Sequence, residues 1–337
     1  QTRCARGTCD EVLPPVLYEL TTESWALFAN ADYTLTEALS LTLGLRYTQE
    51  DKEYDLNNQA TGLVFSTATV GDLALLDEDN VDFNVRLNWA SSEDVLIYGG
   101  VSRGHKAGLF NLGFTAGESA IPGIPVDGET LTAYEIGFKT DFAPANARFN
   151  GAVFYYDYKD SQAFQFDGTT LSSQAFNSDA EVTGLELELG FTPMEGLDIL
   201  ANATYMDAEL KDVTLFGLQQ VDTEMPLTPE LQATLIARYQ WAAPWGGQLA
   251  LQGDVSWVDE QYFDSFNSPS HFEDSYSIMN ARLTWLSEDE KWRVAVFGEN
   301  ITDEEYRTFS FDLAFLGFST DVYAKPSWYG MTVGYSF

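Results

Sequence analysis

Apolar and polar residues alternate with a period of two along almost the whole of this 337-residue chain. Between Leu41 and Tyr47, for example, every odd-numbered residue is apolar or aromatic and every even-numbered residue is polar or glycine. Successive side chains of a β-strand point to opposite faces, so this pattern predicts strands with one apolar and one polar face. The helical period is nearly absent, and the sequence therefore predicts an all-β protein.

About thirteen such runs follow one another, and most have 10 or more residues. They lie near 23–34, 39–49, 81–90, 94–103, 129–141, 148–159, 180–191, 196–207, 228–241, 247–258, 276–286, 292–301 and 327–337. Strands of soluble proteins usually have about 5–6 residues, whereas a tilted strand that crosses a bilayer needs about 9–11. The lengths therefore favour an antiparallel transmembrane β-barrel.

The connections between these runs are short and long in turn. Short ones lie near 35–38, 91–93, 142–147, 192–195, 242–246 and 287–291, and long polar ones near 50–80, 104–128, 160–179, 208–227, 259–275 and 302–326. Outer-membrane barrels have short periplasmic turns and longer extracellular loops. The same alternation here predicts which end of each strand faces the periplasm and which faces the outside.

Charged residues in the middle of the strands keep to the polar parity, and aromatic residues gather near the strand ends. The charged residues expected in the lumen are Arg46, Arg86, Glu135, Lys139, Glu186, Glu188, Arg238 and Arg282. Rings at the short-connection ends are Trp89, Trp241, Trp245, Trp285 and Trp292, and rings assigned to the long-loop ends are Tyr47, Tyr98, Tyr158, Tyr205 and Trp257. Two aromatic girdles and an uncharged outer face are typical of a barrel wall in lipid, although alternation alone would also suit a β-sandwich.

The composition excludes several other classes. The 17 basic and 52 acidic residues give a net charge of −35, which excludes nucleic acid as a partner because phosphates would be repelled. The 8 Trp, 17 Tyr and 23 Phe are too many for a disordered chain. No window approaches the ~20 apolar residues of a membrane-spanning helix.

The segment 327–337 places five apolar or aromatic residues on one face of the last predicted strand. They are Tyr329, Met331, Val333, Tyr335 and Phe337. The segment resembles the terminal strand of bacterial outer-membrane proteins. The resemblance implies that these residues, and Phe337 above all, form the signal that the barrel-assembly machinery recognises.

Four internal segments resemble the TonB-dependent receptors in their order and in their spacing to the C-terminus. They are 101–108, 129–139, 184–188 and 298–306. His105 departs from the family pattern, in which Phe or Tyr is more common at that position. The resemblance covers nearly all of 23–337 and implies a 22-stranded, plug-filled barrel in the bacterial outer membrane, in contact with its lipid.

Neither the family's N-terminal plug nor its energy-coupling box can be identified in this sequence, and complete bacterial single-chain barrels have an even number of strands. We therefore expect residues 23–337 to be the C-terminal portion of the barrel and residues 1–22 to belong to an extracellular loop. Coupling to TonB and its inner-membrane complex would take place through the missing N-terminal part. We also expect a gap between the first and last strands, because both run from the outside to the periplasm and would not pair antiparallel.

Residues able to carry chemistry are few. Cys4 and Cys9 lie close together in the predicted extracellular segment, where a disulfide is permitted, and they are too few for a zinc site. His105 and His271 are expected to be solvated loop residues rather than metal ligands. The acidic run 77–82 lacks the glycine and the distal glutamate of an EF-hand, and phosphate-binding glycine loops and nucleophile elbows are missing. We therefore expect no enzyme, no metal and no cofactor.

The resemblance implies active uptake of a scarce small-molecule nutrient. The leading substrate class is an iron–siderophore complex, and saccharides and cobalamin follow. The candidate substrate-binding residues in the loops are His105, Phe110, Phe114, Tyr262, Phe263, Phe266, Phe311, Phe315 and Phe318. The alternative for these rings is packing on one another. The alternative functions are a passive porin and, less in keeping with the strand lengths, a soluble β-sandwich adhesin.

Overall fold

The computed structural model describes residues 16–59, 62–111, 124–167, 172–215, 219–313 and 317–337. Thirteen long strands there form one sheet in which each strand pairs with the next along the chain. They are β1 Val16–Thr36, β2 Leu39–Asn58, β3 Leu75–Ser92, β4 Val95–Lys106, β5 Glu129–Phe142, β6 Ala147–Asp167, β7 Ser172–Met194, β8 Leu197–Leu215, β9 Leu231–Ala242, β10 Gln248–Val258, β11 Tyr276–Leu286, β12 Trp292–Glu299 and β13 Trp328–Tyr335. All these pairings are antiparallel, as expected for a barrel wall.

Each predicted run corresponds to one of the thirteen strands, but several strands are longer than predicted. The β6–β7 hairpin pairs as far as Asp167 and Ser172, and β2 continues to Asn58, within stretches predicted as loop. β1 begins at Val16, so the part of 1–22 from Val16 onward is strand and not irregular loop. Polar side chains do not prevent these extensions, because the ladder still pairs the backbone N–H and C=O groups.

The long connections carry short elements of their own. Leu63–Phe65 pairs with β2 and Gln219–Glu224 pairs with β8. Three small hairpins join Leu109–Phe110 to Pro125–Val126, Gln261–Tyr262 to Phe272–Glu273, and Arg307–Leu313 to Phe318–Tyr323. A helical turn at Thr67–Val70 continues as a 3-10 turn at Gly71–Ala74, and further 3-10 turns lie at Ala143–Ala145 and Pro269–His271. Among the helices that the structure describes, none is long and apolar enough to cross a membrane.

The two faces of the sheet differ as the alternation predicts. Cross-strand partners share a face, so Leu187 on β7 lies beside Ala203 on β8 and Gly151 on β6. Large side chains on the apolar face are widely exposed, for example Leu235 at 46% and Leu251 at 49%. A soluble β-sandwich would bury such residues under a second sheet. The exposed apolar face therefore argues against that alternative.

The aromatic girdles are confirmed in part. Trp25 packs on Tyr47 with ring centroids 5.1 Å apart, and Tyr205 and Trp257 lie on the same apolar face. The prediction was wrong for Tyr98 and Tyr158, which lie on the polar face of β4 and β6: Tyr98 packs under Arg86, and Tyr158 packs on buried Ala180 and Leu210. Their even-numbered positions place them on that side.

The sheet is open at both edges in the described part of the chain. β1 pairs with β2 alone and β13 with β12 alone, so the expected gap between the first and last strands is present. Tyr329, Met331, Val333 and Tyr335 share the apolar face of β13 and are exposed, as the register predicts. Their role in assembly stays a prediction.

Candidate functional site

The polar face of β3–β5 carries an ion pair above an aromatic ring. Arg86 Nη2 lies 3.9 Å from Glu135 Oε1, and the Arg86 guanidinium lies 5.1 Å from the centre of the Tyr98 ring. A Cβ atom at Gly137 would stand 2.6 Å from that ring, so only glycine leaves room for it. Alternation places these residues on one face, and the absent side chain of Gly137 lets the ring lie flat against the wall.

Beside this group, the wall forms a cavity of about 410 Å³ lined by acceptor-rich side chains. Glu186, Glu188 and Asn202 line it, and Asn150 Nδ2 donates to Glu188 Oε2 at 3.2 Å. A surface of carboxylates and amides offers hydrogen bonds to a solvated ligand or to a second polar protein surface. It matches the polar lumen that the sequence predicts.

Nearer the short connections, the same face carries apolar residues that the sequence prediction overlooked. Leu200 and Ile236 are cross-strand partners on the polar face, and Leu200 is 47% exposed. They line a cavity of about 810 Å³ together with Asp198 and Arg238. The face that the sequence assigns to the lumen therefore includes apolar residues at these positions.

Towards the long connections, the polar face becomes apolar and partly buried. Phe154, Tyr156, Val182, Met206 and Met225, here called the mouth cluster, pack together there. Phe154 is 5% exposed and stacks on Tyr156 with centroids 4.7 Å apart. The unbroken apolar run at 152–156 is the sequence signal for it, since such a run places apolar residues on the polar parity as well.

A separate aromatic core holds the first long connections together. Phe110 is 4% exposed and stacks on Tyr54 at 5.1 Å, and Phe65 is fully buried against both rings. Burial raises the pKa of Tyr54 to about 12, and its hydroxyl finds no partner among the described residues. These contacts support the packing alternative for Phe110, whose role in substrate binding stays a prediction.

The other predicted rings lie in separate places. The rings of Tyr262 and Phe272 pack with centroids 5.0 Å apart, and Phe263 is half-buried in the same hairpin. Phe266 packs against the buried cluster that contains Leu210 and Val213. Phe311 stacks on Phe309 with centroids 6.0 Å apart, and Phe318 is 51% exposed. Phe114, Phe315, Cys4 and Cys9 lie outside the described residues. Their contributions, including the disulfide, stay predictions.

Both histidines differ from the solvated loop residues that were expected. His105 lies on β4, where its Nδ1 is 2.8 Å from both carboxylate oxygens of Asp82 and its side chain is 13% exposed. His271 is 1% exposed, with Nδ1 2.7 Å from Ser310 Oγ. Ser310 in turn donates to Asp321 at 2.6 Å, so its single proton is used and His271 Nδ1 is the donor to Ser310. Burial and pairing hold both imidazoles in place.

Known proteins share this architecture. Residues 5–301 match the family model of the TonB dependent receptor-like β-barrel. The chain is 24% identical over 299 residues to the pesticin receptor of Yersinia pestis, covering 86% of this chain and 41% of that protein.

Solved structures share the fold at low sequence identity. The ferric yersiniabactin uptake receptor FyuA from Yersinia pestis superposes with a TM-score of 0.77 at 20% identity, over 96% of this chain and 47% of that one. The siderophore receptor PiuA from Acinetobacter baumannii has a TM-score of 0.72 at 20% identity, and the match covers 94% of this chain and 44% of PiuA. The copper transporter OprC has a TM-score of 0.73 at 15% identity, and the match covers 94% of this chain and 48% of OprC. The chain therefore spans about half the length of the relatives that it matches.

Proposed function

The chain belongs to the TonB-dependent receptor family of outer-membrane β-barrels, and we propose that the receptor of which it forms part takes up a metal chelate, an iron–siderophore complex first of all. The energy would come from TonB and its inner-membrane complex. The similar proteins are named as receptors and as a transporter, which supports transport rather than catalysis.

The apolar pair on the polar face supports an uptake receptor over a passive porin. Leu200, at 47% exposure, and Ile236 would face water in an open pore, where apolar surface is unfavourable. A protein domain inside the lumen would cover them. An occluded barrel needs an energised step to pass its substrate, whereas a porin conducts continuously.

The mouth cluster carries the proposal for the substrate class. Tyr156, which stacks on buried Phe154, presents an aromatic and polarisable wall together with Met206 and Met225 on the long-connection side of the polar cavity. Such a wall suits the flat, partly apolar body of an organic chelate better than a saccharide, which needs dense hydrogen bonding. The names of FyuA and PiuA support the same class, and a saccharide or cobalamin is the alternative.

The test is iron uptake by cells that produce the full-length receptor, with and without TonB. We expect radiolabelled iron to enter from ferric siderophores only when TonB is present. Tyr156→Ser should raise the half-saturating chelate concentration about tenfold or more. Tyr155→Ser is the matched control, because the neighbouring ring lies on the opposite face and should leave uptake unchanged.

Two other results would contradict the proposal. Steady ion conductance through the purified receptor in planar bilayers, independent of TonB, would support a porin. TonB-dependent uptake of a saccharide or cobalamin, with no uptake of ferric chelates, would retain the active receptor and replace the substrate class.

A further inference from the structure

The apolar face of β7–β10 contains a groove of about 410 Å³. In one row of cross-strand neighbours, Ala203 and Ala233 lie between Leu187 and Trp257. In the next row, Ala201 lies between Leu189 and Leu235. The alanine methyl groups form the floor, and the longer side chains of both rows form the walls.

The groove presents almost only carbon to its occupant. Asn202 and Thr234 border it through their backbones, because their side chains belong to the other face: Asn202 lines the polar cavity there, and Thr234 Oγ lies 3.2 Å from Ser256 Oγ. The remaining lining residues are apolar, Phe149 and Val255 among them. A water-filled groove of this composition would be unfavourable.

The groove is continuous with the surface that faces lipid. It lies on the same face as exposed Leu235 and Leu251, between Trp241 near the short connections and Trp257 near the long ones. Trp257 is one residue from the end of β10 at Val258, whereas Phe149 is two residues from the start of β6 at Ala147, so the groove is not confined to either end of the strands.

We infer that this groove holds a segment of one acyl chain from a membrane lipid. A level strand surface contacts a lipid chain on one side only, whereas the walls formed by Leu187 and Trp257 enclose it on both sides, so the chain gains dispersion contacts. A lipid bound here exchanges more slowly than its neighbours. This inference rests on membership of the membrane-barrel family and does not depend on the proposed substrate.

The test uses the full-length receptor in mixed micelles and a phosphatidylcholine brominated on its acyl chains, which quenches tryptophan on contact. Subtracting the emission of the Trp257→Phe variant from that of the parent gives the emission of Trp257. The same subtraction with Trp285→Phe gives the emission of Trp285, which lies on the same face but outside the groove. We expect Trp257 to reach half-quenching at a lipid fraction at least about threefold lower than Trp285. Filling the groove with Ala203→Leu or Ala233→Leu should abolish that difference.

Ala281→Leu is the matched control, because Ala281 lies on the same face but outside the groove, and it should keep the difference. Folding of each variant is checked by heat-modifiable migration. If a filling variant does not fold, Leu187→Ala removes one wall and should also abolish the difference. Equal half-quenching of both rings in the parent, or concentration-dependent dimers that shield Trp257 from lipid, would overturn the inference.

Discussion

A charge on the apolar face should prevent folding in a bilayer, whereas the same charge on the polar face should be tolerated. Val153 on β6 is 50% exposed and lies between Ile136 and Leu185 on the apolar face. Its neighbour Ala152 faces the other way and lines the polar cavity beside Glu186. Val153→Arg and Ala152→Arg therefore introduce one charge into adjacent positions of different surroundings.

The structure allows the cost of Val153→Arg to be worked out. Val153 lies six residues beyond Ala147, the first residue of β6. At a rise of ~3.4 Å per residue and a tilt of ~40°, this distance is about 16 Å along the membrane normal, within a few Å of the centre of an apolar band ~25 Å tall. Arginine near the midplane costs roughly 2–4 kcal/mol, so a central value of about 3 kcal/mol lowers the folding equilibrium constant more than a hundredfold.

The measurement is reversible urea unfolding of the full-length receptor in lipid vesicles, followed by heat-modifiable migration. We expect Val153→Arg to lose about 3 kcal/mol and Ala152→Arg to stay within about 0.5 kcal/mol of the parent, because the guanidinium introduced at Ala152 would lie beside carboxylates. If the apolar face met water, Val153→Arg would be an ordinary surface substitution and would also cost less than about 0.5 kcal/mol. Equal stability of the two variants would therefore refute the assignment of this face to lipid.

Three further predictions concern the loops and the wall. Phe110→Ala should cost about 3–5 kcal/mol of local packing and speed hydrogen exchange in 62–76. Phe318→Ala, at a position 51% exposed, should leave that exchange unchanged. Equal exchange rates in the two variants would contradict the aromatic core described for the first long connections. Glu288→Cys should react only from the periplasm and Ser268→Cys with an impermeant reagent on intact cells; reversed labelling would overturn the topology. Gly184→Ala should cost about 1–3 kcal/mol in urea unfolding, because its Cβ would stand 2.3 Å from a buried ring; an unchanged midpoint would show that the ring moves aside.

The strand positions, the faces and the connection pattern could be predicted from the amino-acid sequence alone. The period of two is a local property, so it assigns Leu249, Leu251 and Trp257 to one face without any knowledge of their neighbours. The short and long connections give the topology in the same way. A polar lumen on one side of the wall and lipid on the other impose this pattern on every strand, and that is why it persists along the chain.

The tertiary structure alone decided which residues meet. Phe110 and Phe318 are equally plausible loop rings in the sequence, yet one is buried against Tyr54 and the other is exposed. His271 is buried because the hairpin that carries Ser310 closes over it. Alternation assigns a side chain to a face but not to a neighbour, since contacts between distant segments depend on how the strands align and how their loops pack.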